Sequence, residues 1–314
     1  MITMNESIRS VESLLNEVIS DNHSSLNEAG KHILTSGGKR IRPYFVLLAG
    51  TFGSADDDTL IRTATALEII HMASLVHDDY IDNSAKRRGV SAVHEEWNAP
   101  VAIQTGHYLL ASALNLISGI DNQSYHQYFA DVILEVCYGE FAQMEDQFNT
   151  AVSFTKYLRR INRKTAILLE ASCKLGGLST GAADKEIYHL GKFGHFMGMS
   201  FQIIDDVLDY TSNEAALGKP VGSDIRNGHM TLPLMCAVKH DAQLSALLAE
   251  LHAGQSEDYF RQVIEAVRAA GITPALDISA AYARKAAAHL HELPETPARA
   301  KMQELLDRMT RRTY

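Results

Sequence analysis

Two identically spaced carboxylate clusters stand out, Asp78-Asp79-Tyr80-Ile81-Asp82 and Asp205-Asp206-Val207-Leu208-Asp209, each at the end of an apolar stretch (Leu67 to Val76; Met197 to Ile204). On a helix, residues four apart share a face, which places Asp78 beside Asp82 and Asp205 beside Asp209. Like charges so placed repel, and after apolar sequence they cost stability unless something positive lies between them. The natural candidate is a divalent cation. With carboxylates alone on offer, and no Cys or His at ligand spacing, a hard ion such as Mg²⁺ is favoured over zinc, and Mg²⁺ held this way shares its shell with substrate phosphates. One cluster alone could equally be a solvated helix end or an acidic first turn. Two, with matching apolar lead-ins, argue against that. A di-iron carboxylate bundle needs inward-facing Glu-x-x-His pairs, and none is placed with these aspartates.

Positive charge is concentrated in two short runs. Gly37-Gly38-Lys39-Arg40-Ile41-Arg42-Pro43 sets three cations beside two glycines that let backbone approach a ligand, and Arg87-Arg88-Gly89 follows the first cluster closely. The chain carries 29 Lys and Arg against 38 Asp and Glu, a net charge of −9, so these runs are local reversals of sign. They suit an anionic small molecule. Nucleic acid is disfavoured, because it calls for a basic face across the domain. Beside metal-type carboxylates, the runs point to two diphosphates, one held through metal and one by bare cations.

The chain resembles the trans-type polyprenyl diphosphate synthases over nearly its full length. The resemblance rests on GGKRIRP at 37–43, EIIHMASLVHDDYID at 68–82, RRG at 87–89, GEFAQ at 139–143, KTA at 164–166, FQIIDDVLD at 201–209 and GKPVGSD at 218–224, in the family's order. It implies elongation of an allylic prenyl diphosphate by isopentenyl diphosphate. Asp78, Asp82 and Asp205 would be the Mg²⁺ ligands bridging to the allylic diphosphate, supported by Asp79, Asp206 and Asp209. Arg87, Lys164, Thr165, Gln202 and Lys219 would contact that diphosphate, and Lys39, Arg42, His71 and Arg88 would hold isopentenyl diphosphate. The residue types suit the chemistry. Breaking a carbon–oxygen bond builds negative charge on the leaving diphosphate, which cations stabilise, and the allylic cation left behind needs a dry apolar pocket. No side-chain base stands out in the motifs, so the released diphosphate is the proton acceptor that the resemblance implies.

Two positions depart from the family pattern. His229 stands where many members carry Lys, replacing a permanent cation by a group that titrates near neutrality; here the chain looks more like the catalytic large subunit of two-component hexaprenyl and heptaprenyl diphosphate synthases. His107, in Gly106-His107-Tyr108, replaces the usual Asp and reads as a histidine at a helix packing contact.

The elements that must position these residues are helical. With 20 Gly and 7 Pro in 314 residues, the chain falls below the usual share of about 12 per cent. Apolar residues recur at three and four along 100–118, 125–148, 156–178 and 186–210, without strand-like alternation. Breaks fall at Gly53 to Asp58, Ala85 to Val90, Gly119 to Ser124, Asn149 to Ser153 and Asn213 to Gly228. The last is the longest irregular stretch and is expected to serve as a flap over the diphosphates. After about 240 the sequence continues as shorter, Ala-rich amphipathic helices, read as bundle completion or subunit contact, and the arginines at 308, 311 and 312 read as a solvated helix end. The resemblance implies an all-α, single-domain bundle of the isoprenoid synthase type over 1–314, with a central apolar cavity.

Cys137, Cys173 and Cys236 show neither metal spacing nor a disulfide framework, and Met1 to Ser20 lacks a signal layout; a cytoplasmic protein is expected. The uncharged stretch Trp97 to Ile120 carries too many polar residues for a membrane span, so membrane contact is at most peripheral. A non-catalytic regulatory homologue should have lost Asp ligands or the Lys39, Arg42, Arg87 and Arg88 cations, and all are present. A terpene cyclase has no use for a second diphosphate site. The resemblance implies a homodimer, and the missing Lys at 229 raises a heteromer with a small partner subunit as the alternative. Product length is read from Ala73 and Ser74, one turn before Asp78, with Ile70 on the next rung. Without an aromatic cap there, a product longer than C15 is expected, C30 to C35 by the resemblance, with a C20 geranylgeranyl diphosphate synthase as the alternative.

Overall fold

The structure, a computed structural model, describes residues 3–20, 24–54, 57–213, 220–239 and 241–310. The elements run α1 (Met4–Val18), α2 (Ser24–Thr35), α3 (Ile41–Gly50), α4 (Asp57–Ile81), a hairpin β1 (Lys86–Arg87) and β2 (Val90–Ser91), α5 (Val93–Glu96), α6 (Ala99–Ile117), α7 (Gln123–Glu145) and α8 (Phe154–Ile161). A π-helical turn (Asn162–Ala166) then leads into α9 (Ile167–Ser179), α10 (Asp184–Thr211), α11 (Ser223–Arg226), α12 (Leu232–Val238), α13 (Ala242–Leu248), α14 (Glu257–Ala270), α15 (Ile272–His291) and α16 (Pro297–Thr310). By backbone contacts the chain divides into two compact units: residues 1–134, 168–194 and 289–302, and residues 135–167, 195–288 and 303–314.

In the first unit α4 packs against α1, α3 and α6. It is apolar on nearly every side and buries Leu67, Ile69, Ile70, Met72, Ala73 and Val76, so tertiary packing rather than amphipathicity makes it a helix. Asp57 and Asp58 sit in its first turn, where carboxylates complement the helix dipole. By length and composition α4 could cross a membrane, but 67% of its most apolar window is buried inside the protein. The partner helix α6 opens on Asn98, whose side chain accepts a hydrogen bond from the Val101 N–H at 2.9 Å, with Pro100 in the first turn. At Gly106 the His77 ring packs where a Cβ would stand, 2.0 Å from its Nε2, so a larger residue would have to displace that ring.

In the second unit, Tyr210, Ile225, Leu234, Tyr259, Phe260 and Val263 form one core cluster, and Tyr157, Ile161, Met199, Ile203, Val207 and Leu232 form another. The second holds Met199, Ile203 and Val207, one face of the helix that also carries Asp205, Asp206 and Asp209.

Several expectations are corrected. The break at Ala85 to Val90 is a hairpin, the segment 156–178 is interrupted by a π-helical turn, and the stretch 213–228 contains α11, with 214–219 outside the described residues. The C-terminal helices are not uniformly short, since α15 runs for 20 residues. Strands of two residues leave no alternation to detect, and a π turn has the same composition as an α turn.

Candidate active site

In the first unit, Asp78 and Asp79 close the last turn of α4, and Asp82 lies just beyond it with its N–H still bonded to the Asp78 carbonyl at 2.8 Å. The helical spacing read from sequence therefore persists through the whole cluster. Asp78 and Asp79 are buried and Asp82 is half-buried. Asp79 is gripped by Arg87, whose Nε donates to both carboxylate oxygens at 2.9 and 3.1 Å and whose Nη2 also donates to Oδ1. Burial lifts the Asp79 carboxyl above its usual range despite this partner. Burial also works against the Arg87 charge, but hydrogen bonding to Asp79 outweighs it and keeps the guanidinium firmly protonated.

The hairpin explains the RRG run. Arg87 pairs with Val90 across it, and Arg88 (φ 52°) and Gly89 (φ 87°) form a two-residue turn with both φ values positive, the geometry that matches the twist of a hairpin. Glycine takes the second of these positions without strain; Arg88 takes the first at a cost of about 1 kcal/mol. The turn sends Arg87 onto Asp79 and Arg88 towards the glycine-rich run. A Cβ on Gly38 would meet Arg88 Nη1 at 2.9 Å and Arg40 Nη1 at 3.1 Å, so the two cationic runs converge beside this glycine.

Within the 37–43 run the cations divide their work. Arg40 bonds to Glu12 at 2.8 Å, Glu68 at 3.1 Å and the Leu34 carbonyl at 3.3 Å, and so ties α1, α2 and α4 together. Lys39 is exposed and Arg42 half-buried on either side of it. His71 is pushed well below its ordinary pKa by burial and by the positive charge of Arg42, Arg88, Arg87 and Arg40. It is neutral at physiological pH, a hydrogen-bonding group in a cationic setting. Arg40, Arg42, His71, Arg87 and Arg88 thus belong to one electropositive region of the first unit. Ala73 and Ile70 are buried on α4, and the half-buried Ser74 donates its hydroxyl to the His71 carbonyl at 2.9 Å.

In the second unit, Asp206 and Asp209 are buried and Asp205 is half-buried. Asp206 accepts from the Tyr157 hydroxyl at 2.7 Å and from Gln202 Nε2 at 2.9 Å. Thr165 in turn donates to Gln202 Oε1 at 2.5 Å, so Thr165, Gln202 and the aspartate form one hydrogen-bonded chain. Burial and the neighbouring Asp224 charge push the Asp206 carboxyl up to about 7. Asp209 accepts from the Asp224 N–H at 3.0 Å, which ties α11 back to α10. Lys164 and Thr165 lie on the π-helical turn, a feature frequent at functional sites. Lys164 pairs with Glu140 of the GEFAQ segment at 3.3 Å, and its neighbour Arg163 pairs with Glu135 at 2.8 Å.

Lys219 and the arginines at 311 and 312 lie outside the described residues. His107 stands edge-on to His77, with ring centroids 5.6 Å apart. His229 is buried, its N–H bonded to the Asp224 carbonyl at 2.8 Å. Sequence reasoning missed Tyr157, Asp224, Glu68 and Glu140. Tyr157 lies outside the motifs, whereas Glu68, Glu140 and Asp224 lie inside them but meet their partners only in the folded chain.

The donor set fits a hard divalent ion. All the oxygens are carboxylate, and the Asp224 charge raises the buried Asp206 carboxyl, a repulsion that a bound cation would relieve. Among the described residues no three His, Cys, Asp or Glu side chains close a cage. Mg²⁺ is commonly bound through one or two carboxylates, with water and substrate phosphate completing its shell.

Comparison with known proteins bears on the sequence and the fold as a whole. The sequence profile of the polyprenyl synthetase family matches residues 23–267. Heptaprenyl diphosphate synthase component 2 of Bacillus subtilis is 40% identical over 312 residues, covering 99% of this chain and 89% of that protein. The crystal structure of heptaprenyl diphosphate synthase from Staphylococcus aureus superposes with a TM-score of 0.96 at 40% identity, covering 100% of this chain and 99% of the other. That of polyprenyl synthase from Caulobacter crescentus, complexed with calcium and isoprenyl diphosphate, gives 0.94 at 30% identity over 99% and 96%. With such matches over both its sequence and its fold, the chain belongs to the polyprenyl synthetase family.

Proposed function

We propose that the protein is a Mg²⁺-dependent trans-prenyltransferase that condenses isopentenyl diphosphate with an allylic prenyl diphosphate, giving an all-trans polyprenyl diphosphate of C30 to C35. The observation that carries this reading is the arginine-rich region around neutral His71 beside the first aspartate cluster: it provides a bare-cation diphosphate site in addition to a metal-type one. Asp78, Asp79, Asp82, Asp205, Asp206 and Asp209 are the residues that would hold Mg²⁺, which supplies positive charge for the departing diphosphate. Arg87, Lys164 and Lys219 add fixed cations for the allylic diphosphate, and Thr165 and Gln202 orient the carboxylate and amide groups around it. Lys39, Arg42 and Arg88 grip isopentenyl diphosphate, with His71 as a neutral hydrogen-bond partner. The allylic carbon–oxygen bond breaks, its electron pair leaving with the diphosphate. The isopentenyl double bond attacks the allylic carbon, and the proton then lost passes to the released diphosphate. Activity is expected to need both clusters, so that 1–314 works as one catalytic domain.

The tail is read as passing Ala73, Ser74 and Ile70 on α4, and the heptaprenyl relatives support a long product. The test is incorporation of radiolabelled isopentenyl diphosphate by the purified chain, with chromatography of the dephosphorylated products. Long-chain product is expected, shifting towards C15 and C20 in Ala73→Phe. An active, folded Ala73→Phe enzyme with unchanged product length would overturn the path past α4.

A second reading, a catalytic subunit active only with a small partner, is favoured by the component 2 relatives. Tyr138, Phe141 and Met144 form an exposed apolar stripe on α7, the kind of surface that marks an interaction site in either a homodimer or a heteromer. A folded but inactive lone chain that regains activity with a small subunit selects the heteromer. Cytoplasmic location, with peripheral membrane contact at most, is part of the proposal.

A further inference from the structure

An open groove of about 460 Å³ lies in the first unit, lined by Asn5, Ile8 and Arg9 of α1 and by Lys39, Arg40 and Tyr44. Asn5, Ile8 and Arg9 are three and four apart, so they form one face of α1, while Ser7, Val11 and Leu15 form the buried face. Glu12, one turn beyond Ile8 and Arg9, anchors that face through Arg40, which is also held by Glu68. The Arg40 charge is therefore offset by two carboxylates. Arg9 is exposed and makes no ion pair among the described residues. Such a cation at a groove rim, in a chain of net charge −9, creates a local field that attracts anions.

The groove adjoins the isopentenyl diphosphate region. Lys39 lines it, and the guanidinium groups of Arg40 and Arg88 both lie within 3.1 Å of where a Cβ on Gly38 would be. Its walls are of two kinds. Asn5, Arg9 and Lys39 offer donors and charge, while Ile8 and the Tyr44 ring offer apolar surface. Its volume is within the usual range of small-molecule sites, about 300–1,000 Å³.

We propose that this groove is a capture subsite for isopentenyl diphosphate, in which Arg9 and Asn5 of α1 meet the diphosphate and Ile8 with Tyr44 shelters its five-carbon group before transfer to Arg42, His71 and Arg88. The inference rests on the function proposed above and extends it to an N-terminal helix that lies outside the motifs. Arg9 is a substrate-binding residue here, acting on affinity.

Equilibrium dialysis with radiolabelled isopentenyl diphosphate, in the absence of allylic substrate, tests it on the full chain. Arg9→Gln should weaken binding about 3- to 5-fold at low ionic strength, the size of one exposed charge contact. High salt should narrow that gap, since the contact is screened, and Arg9→Lys should keep most of the affinity. The KM for the allylic diphosphate should not move. Unchanged affinity in Arg9→Gln, with the wild type binding normally, overturns the subsite and leaves the proposed reaction standing. An equal rise in the allylic KM also overturns it. A wild-type chain that neither binds nor incorporates the label, alone or with a small subunit, overturns the reaction and the subsite together.

Discussion

The two aspartate clusters share a sequence pattern but are supported by opposite means. In the first unit Asp79, 2% exposed, is neutralised by a guanidinium delivered on a hairpin. In the second unit Asp206, 3% exposed, is held by the neutral donors of Tyr157 and Gln202 beside another carboxylate, Asp224. Asp79 is gripped directly by a guanidinium, whereas Asp206 is gripped by neutral groups and feels Arg160 only through its field. Identical spacing therefore does not mean identical electrostatics, and the second cluster should be the more sensitive to metal.

The largest expected effect is common to both clusters. Asp78→Asn and Asp205→Asn should each lower kcat by about 10²–10³-fold, the loss typical of removing one charge-stabilising group, with the circular dichroism spectrum unchanged. Near-normal turnover in either variant would remove that cluster from the site.

A stability comparison separates the clusters. Asp79→Asn leaves Arg87 without its anionic partner and should cost about 1–3 kcal/mol, below the cost of breaking a fully buried pair because the Arg87 side chain is 30% exposed. Asp206→Asn removes a charge that burial and Asp224 already oppose, and should cost less or stabilise the metal-free protein. Equal losses of Tm in the two variants would refute the contrast.

Proton linkage sharpens the same point. Asp206 is raised to about 7, above the unfolded value of about 4. The folded state therefore binds the extra proton between those values. The stability it confers is full below the unfolded value and is lost as pH rises through about 7. Tm of the metal-free protein should fall between pH 5 and 8 more steeply in the wild type than in Asp206→Asn. Adding Mg²⁺ with inorganic diphosphate should flatten the wild-type slope. Parallel slopes in the two proteins would show that Asp206 does not titrate in this window.

The smallest effect concerns Tyr157. Tyr157→Phe removes one of two donors to Asp206 and should cost about 0.5–1.5 kcal/mol of stability and a few-fold in kcat. A variant indistinguishable from wild type would show that Gln202 alone suffices to place Asp206.

What the sequence makes legible follows from the range of the forces involved. The helices α6, α7 and α10 follow from apolar periodicity, and both clusters keep the i, i+4 register expected of them, because these are local properties. The resemblance supplied roles for Lys39, Arg42 and Arg87. What it could not show is that Arg87 grips Asp79, that Lys164 pairs with Glu140, or that Tyr157 bonds Asp206 across 49 residues of chain. Those pairings are products of tertiary packing. The hairpin is legible only in retrospect, since Arg88 in a left-handed conformation is disfavoured by its own residue type and is held there by the turn.

The helix α4 has a further consequence, for the chain before it is folded. Emerging from the ribosome, it is a 25-residue segment apolar enough to be mistaken for a membrane span, with Arg62 and Glu68 as its interior charges. Asp78 and Asp79 stand at its end, and charged residues flanking an apolar segment act as gatekeepers against both bilayer insertion and aggregation. Neutralising substitutions at these positions therefore put two things at risk, catalysis in the finished protein and the safe passage of its nascent form, and reduced soluble yield of Asp78→Asn would be a signature of the second.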